Sequence, residues 1–214
     1  MTTSGTDPAR GTRARVPEVL IVPTGTANLA SVVAAFHRLG AGVRLAERGR
    51  EIVAASHVVL PGVGTFGAAM ARLMGRGFAE ALRRRIREDR PTLAICVGHQ
   101  LLFAASEESP GVGGLAILPG LVRRFPEEVR TPQFGWNEVE PEPGCRIVTR
   151  GWAYFANSYR ATEAPGWACA RSEHGGPFLA AIEKGRIVGC QFHPELSSGW
   201  GAALLARFLA LESD

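Results

Sequence analysis

Short apolar runs separated by polar stretches divide the first half of the chain. The clearest runs cover residues 19–22, 58–60 and 93–95. Runs this short, with no polar alternation, are typical of strands buried on both faces of a parallel sheet. Between them, apolar residues three and four positions apart predict amphipathic helices that end near Leu39 and cover 78–90. This half predicts an α/β domain with a mostly parallel central sheet flanked by helices.

The second half of the chain has a different pattern. Runs rich in β-branched and aromatic residues recur at 121–125, 136–139, 153–156, 167–171, 178–183 and 186–191. Gly185, between the last two runs, is typical of a tight hairpin turn. The sequence therefore predicts additional antiparallel strands, followed by a closing helix over 202–209.

Composition and length fit one globular domain. The chain has 214 residues, of which 46% are hydrophobic and 21% charged, enough for a single core. We assign residues 18–214 to this domain and expect 1–17, which lack large apolar side chains, to form a disordered tail. No run approaches the roughly 18 apolar residues of a membrane span, and the tail lacks a secretory core. We expect a cytoplasmic protein that does not contact a membrane.

The net charge of +4 depends almost entirely on arginine. The densest basic run, Arg83-Arg84-Arg85 with Arg87 and Arg90, lies in a predicted helix that also carries acidic residues. No aromatic residue alternates with these arginines, as a stacking platform for nucleic acid would require. We interpret the run as a solvated helix face, and we expect no nucleic-acid partner.

Four cysteines occur, and none of them forms a C-x-x-C pair. Zinc-ribbon and thioredoxin-type sites therefore have no support, and we expect no metal. Cys96 stands apart because it follows the run 93–95 and precedes Gly98 and a predicted helix over 99–105. Strand, nucleophile, glycine and helix form the layout of a nucleophile elbow. Unpaired N–H groups at the helix start would stabilise a thiolate there.

A cysteine nucleophile needs a base, and the base needs an orienting group. His193 and Glu195 stand two positions apart at the end of the run 186–191. In extended chain such residues project to the same side, so the carboxylate can reach one imidazole nitrogen. Pro194 biases His193 toward extended geometry. Alone, an H-x-E sequence is more often a surface turn; together with Cys96 it predicts a catalytic triad.

The stretches A-I-C-V-G-H-Q around Cys96 and Q-F-H-P-E around His193 resemble the class I glutamine amidotransferases. The resemblance covers nearly all of residues 18–214 and implies their single-domain α/β fold. It also implies hydrolysis of L-glutamine to glutamate and ammonia by Cys96, His193 and Glu195. Neither a metal nor an organic cofactor is implied.

The same resemblance implies further site residues. The P-G-V-G loop after 58–60 implies an oxyanion hole formed by the backbone N–H groups of Val63 and Val97. Its glycines free the backbone to turn sharply. The glutamine substrate is expected to contact Gly62, Gly64, Gln100, Ser158 and Tyr159.

Three stretches are similar to the glutaminase subunits of imidazole glycerol phosphate synthase. They are G-x-x-N-L-x-S-V from Gly25, G-W-N at 135–137 and Y-F-x-x-S-Y at 154–159. This similarity implies a heterodimer with a cyclase subunit that consumes the ammonia. It places Asn28, Trp136 and Tyr154 at the interface. A (β/α)₈ barrel needs about 250 residues, so we expect the cyclase to be a separate polypeptide.

Four residues depart from these patterns. Ala94 replaces a glycine, His99 a methionine, Asn157 a histidine and Leu196 a basic residue linked to a partner salt bridge. With His99, the sequence at 98–100 is G-H-Q, which is commoner in the amidotransferases of anthranilate and GMP synthesis. An amidotransferase subunit of anthranilate or aminodeoxychorismate synthase is therefore an alternative. A cysteine hydrolase of the same fold and a binding module with a relic triad are more distant ones.

Overall fold

The structure, a computed structural model, describes residues 17–25, 29–62 and 64–212. The expectations for residues 1–16, Asn28 and Val63 therefore lie outside the described residues. Helices are α1 (Leu29–Arg38), α2 (Gly49–Ala54), α3 (Phe66–Gly75), α4 (Phe78–Arg87), α5 (Val97–Gln100) and α6 (Ser198–Leu209), with a 3₁₀ turn at Pro194–Leu196. Within these ranges no helix combines the length and apolar character of a membrane span.

The strands form two sheets. They are β1 (Glu18–Ile21), β2 (Gly42–Leu45), β3 (His57–Leu60), β4 (Thr92–Ile95), β5 (Phe103–Ser106), β6 (Leu118–Arg124), β7 (Gln133–Pro141), β8 (Gly151–Asn157), β9 (Tyr159–Arg160), β10 (Ala168–Glu173), β11 (Pro177–Lys184) and β12 (Ile187–Cys190). The larger sheet has the order β2-β1-β3-β4-β12-β11-β10-β7-β8, and the smaller one β5-β6-β9.

The larger sheet changes direction at β12. Strands β2, β1, β3, β4 and β12 pair in parallel, whereas β12, β11, β10, β7 and β8 pair antiparallel. Gly185 forms the predicted turn between β11 and β12 with φ of 56°. The predicted α/β architecture, with antiparallel strands added in the second half, is confirmed.

The three strands that carry the site are buried along their whole length. Every residue of β3, β4 and β12 is buried, which agrees with their unbroken apolar runs. Parallel sheets bind ligands at the carboxyl ends of their strands. The Gly62 loop, Cys96 and the segment 191–195 all follow at that edge.

The helix predicted over 99–105 is wrong in its second half. α5 is a single turn that ends at Gln100, and Phe103–Ser106 forms β5, which pairs in parallel with β6. Leu101, Leu102 and Phe103 are fully buried as core residues. Their apolar character fits either conformation, and pairing with a strand more than ten residues later in the chain decides between them.

The interpretation of the arginine-rich helix as a solvated face is wrong for Arg85. Its side chain is fully buried. The guanidinium donates to the carbonyls of Ile52, Val53, Ala55, Ser56 and Pro91 and to the hydroxyl of Thr92. Burial lowers the pKa of Arg85 to about 9, so it stays charged at neutral pH. Arg85 thereby ties the end of α2 to the starts of β3 and β4.

Candidate active site

Cys96 occupies the strained turn between β4 and α5. Its φ of 53° and ψ of −112° are a backbone conformation that non-glycine residues rarely adopt. Its N–H donates to the Cys190 carbonyl over 2.7 Å, which ties the elbow to β12. α5 is one turn long, so its dipole stabilises a thiolate less than the longer predicted helix would.

Two glycines allow the elbow to approach β3 closely. A Cβ atom on Gly98 would lie 2.0 Å from the Leu60 carbonyl oxygen, and one on Gly62 would lie 2.4 Å from the Gly98 nitrogen. No side chain fits at either position without movement of the backbone. Gly62, predicted to contact glutamine, is buried and packs against the elbow.

His193 and Glu195 meet through a turn and not through a straight strand. His193 has extended backbone angles, but Glu195 already lies in the 3₁₀ turn. The Nδ1 atom of His193 is 2.9 Å from the Glu195 Oε1 atom. The side chains of both residues are less than a tenth exposed. The expected pairing is present and His193 is extended as predicted, but the extended geometry expected at Glu195 is wrong.

The His193 imidazole also forms a hydrogen bond with Cys96. Burial lowers the pKa of His193, but hydrogen bonds with Cys96 and Glu195 outweigh this effect and raise the pKa to about 10. Both contacts thus favour the protonated imidazolium. An imidazolium beside a cysteine favours the thiolate. Nucleophile, proton donor and orienting carboxylate are thus together in one site.

Ser197 fixes His193 to β8 and was not predicted from the sequence. The Ser197 hydroxyl donates to the His193 carbonyl over 2.7 Å and accepts from the Tyr154 N–H over 3.0 Å. The His193 N–H donates to the Tyr154 carbonyl over 2.9 Å. A strand on the outer edge of the sheet therefore contacts His193 directly.

Gln100 is buried beside the elbow, and both of its amide hydrogens are used. Its Nε2 atom donates to the Tyr159 carbonyl over 3.1 Å and to the Gln191 Oε1 atom over 3.0 Å. Only its Oε1 atom remains for a ligand. Asn157, which replaces the histidine of the similar subunits, donates to the same Tyr159 carbonyl over 3.0 Å.

The other predicted contacts lie around this edge. Gly64 is exposed with φ of 90°. The Ser158 carbonyl already accepts from the Phe125 N–H over 3.1 Å. The Val97 N–H is at the first position of α5, where an amide has no acceptor within the helix. Val97 follows Cys96 directly, so its N–H lies beside that residue, whereas contact of Gly64 with glutamine stays a prediction.

Glu108 and Ser109 fix the start of α3, immediately after the Gly64 loop. The Phe66 N–H donates to the Glu108 carboxylate over 2.6 Å, and the Gly67 N–H donates to the Ser109 hydroxyl over 2.9 Å. The sequence predicts only a loop here. Neither contact has a local signal because both caps come from more than 40 residues away in the chain.

An exposed aromatic face, formed by Phe134, Trp136, Trp152 and Tyr154, covers the outer side of β7 and β8. Trp136 and Tyr154 are directly opposite each other, with ring centroids 6.3 Å apart. Phe134 and Trp152, which were not predicted, are 69% and 56% exposed. Leu196, in the turn after His193, is also exposed. The backbone of Tyr154, whose side chain is half-buried, contacts His193, so the aromatic face lies beside His193, and its role as an interface stays a prediction.

His99 is expected to make the protein sensitive to acid. Neither of its ring nitrogens has a hydrogen-bond partner among the described residues, and burial lowers the pKa of His99 to about 3. The unfolded chain therefore binds a proton below pH 6.5 that the folded chain does not. This histidine's contribution to stability is present above pH 6.5 and is lost as the pH falls toward 3, by about 1.4 kcal/mol per pH unit.

His99→Met should remove this acid sensitivity. Between pH 7 and pH 5 the unfolding free energy of the wild type should fall by about 2 kcal/mol more than that of the variant. Urea denaturation at both pH values measures the difference. His37→Gln, at an exposed histidine, is the control and should behave as the wild type. Equal pH dependence of the wild type and His99→Met would contradict the assignment.

Comparisons with known proteins show the family of this chain. A family model described as glutamine amidotransferase class-I matches residues 24–211. Subunit HisH of imidazole glycerol phosphate synthase from Moorella thermoacetica is 41% identical over 89% of this chain and 93% of its own. A HisH subunit from Thermus thermophilus is 40% identical over 88% of this chain and 95% of its own.

Solved structures share the fold at lower identity. A crystal structure of a glutamine amidotransferase has a TM-score of 0.71 at 18% identity, covering 89% of this chain and 96% of that one. PurLQS from Thermotoga maritima has a TM-score of 0.68 at 15% identity, covering 91% of this chain and 97% of that one. With its elbow cysteine, its paired histidine and glutamate and these matches, the chain belongs to the class-I glutamine amidotransferase family.

Proposed function

We propose that the protein is the glutaminase subunit of imidazole glycerol phosphate synthase. It hydrolyses L-glutamine and passes ammonia to a cyclase subunit that forms imidazole glycerol phosphate and the aminoimidazole carboxamide ribotide. The observation that carries this proposal is the Cys96–His193–Glu195 triad, in a chain 41% identical to a HisH subunit. This reaction belongs to histidine biosynthesis, and we place it in the cytoplasm.

Catalysis begins with attack of the Cys96 thiolate on the side-chain amide carbon of glutamine. A C–S bond forms, and the amide oxygen gains negative charge. The Val97 N–H, together with that of Val63, receives this oxyanion. Each donor of this kind contributes about 2.7–4 kcal/mol to stabilisation of the transition state. Collapse of the intermediate breaks the C–N bond.

His193 then acts first as an acid and next as a base. Because its contacts with Cys96 and Glu195 raise its pKa, it can protonate the departing nitrogen and release ammonia. The neutral imidazole afterwards removes a proton from the water that hydrolyses the thioester. Glu195, 2.9 Å from Nδ1, keeps the other ring nitrogen directed at the reacting atoms.

The substrate is held at the same edge of the sheet. We assign glutamine to the space bounded by Gly64, Gln100 and the backbone of Ser158 and Tyr159. Because both hydrogens of the Gln100 amide are used, Gln100 contacts the substrate only as an acceptor through Oε1. It therefore recognises an N–H group of glutamine.

The cyclase subunit is assigned to the aromatic face and to Asn28. Exposed Trp and Tyr side chains are enriched at protein interfaces. The backbone of Tyr154 contacts His193 directly, so a partner bound on this face would lie next to the site of ammonia release. Leu196 stands where the similar subunits carry a basic residue, so an apolar contact takes the place of an ion pair.

Reconstitution with the cyclase subunit tests the proposal. The cyclase alone should form its products only from ammonium salts, and added wild-type chain should allow L-glutamine to replace them. Cys96→Ser should retain the ammonium-dependent reaction and lose the glutamine-dependent one.

Two outcomes would favour an alternative function. Absence of glutamine-dependent product with the cyclase, but its appearance with a chorismate-using synthase, would favour the anthranilate alternative. Failure of glutamine to protect Cys96 from a glutamine-analogue electrophile would favour a different cysteine hydrolase.

A further inference from the structure

Gln191 contacts the nucleophile, and the sequence alone did not predict this contact. Gln191 follows β12 directly, its side chain is fully buried, and its backbone N–H donates to the Ala180 carbonyl over 2.8 Å. Its side-chain Nε2 atom lies 3.8 Å from the Cys96 Sγ atom. Within the described residues, Cys96 thus has a polar contact in addition to His193.

The direction of the Gln191 amide is set by a carbonyl two contacts away. The Tyr159 carbonyl can only accept, so Gln100 must present its NH₂ group there. The same nitrogen donates to Gln191 Oε1, which leaves the NH₂ group of Gln191 directed at the sulfur. A glutamine amide is otherwise ambiguous in orientation. This relay requires that a donor, and not an acceptor, faces Cys96.

We propose that Gln191 is a catalytic residue that donates an N–H hydrogen bond to the Cys96 thiolate, with Gln100 and the Tyr159 carbonyl holding it in that direction. A buried thiolate needs donors because it has lost its water. The single turn of α5 contributes little stabilisation to the thiolate, and His193 gives up its proton during the reaction. Gln191 keeps its hydrogens throughout, so it can serve both the free thiolate and the sulfur that leaves the thioester.

The proposal deepens the glutaminase function and rests on it for its role in turnover, but the contact itself exists in the free chain. Alkylation of Cys96 by iodoacetamide measures thiolate reactivity without glutamine or cyclase. The site of labelling is identified by mass spectrometry of the peptide that contains Cys96. Failure of the cyclase assay would therefore not affect this test, and failure here would leave the glutaminase assignment intact.

Gln191→Met removes the donor with little change of volume. At pH 7 its rate of Cys96 alkylation should be about threefold below that of the wild type, because a roughly tenfold loss of thiolate is partly offset by the higher nucleophilicity of a more basic thiolate. Gln191→Glu keeps the acceptor for Gln100 but replaces the donor by an acceptor, so its rate should be lower still. Circular dichroism and thermal unfolding establish that each variant is folded.

The matched control is Gln133→Met, at another buried glutamine, located in β7, whose Oε1 atom has no hydrogen-bond partner among the described residues. It should be alkylated at the wild-type rate. The proposal is overturned if a folded Gln191→Met or Gln191→Glu reacts at the wild-type rate. It is equally overturned if alkylation of Gln133→Met is slowed as much as that of Gln191→Met, because removal of any buried side-chain amide would then have the same effect.

Discussion

Cys96→Ser is expected to reduce glutamine hydrolysis by about 10⁴-fold or more while the protein stays folded. The substitution exchanges one atom at a buried position, so packing changes little. A serine hydroxyl, however, is a far weaker acid than a thiol and is not ionised by the imidazolium of His193. Attack on the amide carbon therefore loses its nucleophile, although substrate contacts remain.

Glutamate release in the presence of the cyclase measures this effect. Cys145→Ser is the control, because burial raises the pKa of the Cys145 thiol to about 12 and its Sγ donates to the Cys169 carbonyl over 3.3 Å. That variant should keep turnover within about twofold of the wild type. Unchanged turnover in Cys96→Ser would remove Cys96 from the mechanism.

Gly98→Ala is expected to cost about 3 kcal/mol or more of unfolding free energy and to abolish glutaminase activity. The added methyl group would lie 2.0 Å from the Leu60 carbonyl oxygen, well inside van der Waals contact. Leu60 belongs to fully buried β3 and cannot move away without disturbing the sheet. The elbow must therefore shift, which takes the Cys96 sulfur away from His193.

Urea denaturation and the glutamine assay, applied to the same variant, measure both effects. Gly75→Ala is the matched control, since a Cβ atom at that helix position meets nothing within 4 Å. It should leave activity unchanged and gain up to about 1 kcal/mol of stability, because alanine favours helix more than glycine does. A Gly98→Ala protein as stable and active as the wild type would show that the elbow tolerates a side chain.

Local patterns in the sequence were sufficient for the strands that carry the site. The runs 58–60, 93–95 and 186–191 predicted β3, β4 and β12, and the glycine after Cys96 predicted a sharp turn. The residues His193 and Glu195 were identified by their types and spacing, even though the turn that joins them was not foreseen. Such features depend on a few adjacent residues, so they can be predicted from a single sequence.

Features that depend on distant pairing were missed. The segment at Phe103 has no periodicity that separates helix from strand, and only β6 makes it a strand. Arg85 is indistinguishable in sequence from its exposed neighbours, yet it lies under α2. The relay from Tyr159 through Gln100 to Gln191 joins residues 59 and 91 positions apart. No local signal reports contacts of this range.

The pairing of β12 with β4 limits which parts of the protein can change in length during evolution. Strand β12 pairs with β4 in the register that sets Cys190 against Ile95. Cys96 follows Ile95 directly, and His193 lies three residues after Cys190. The separation of sulfur and imidazole is thus a property of the backbone ladder, which a slip of one residue would change by about 3.3 Å. Connections without buried residues, such as residues 126–132 between β6 and β7, can lengthen or shorten during evolution without altering that separation.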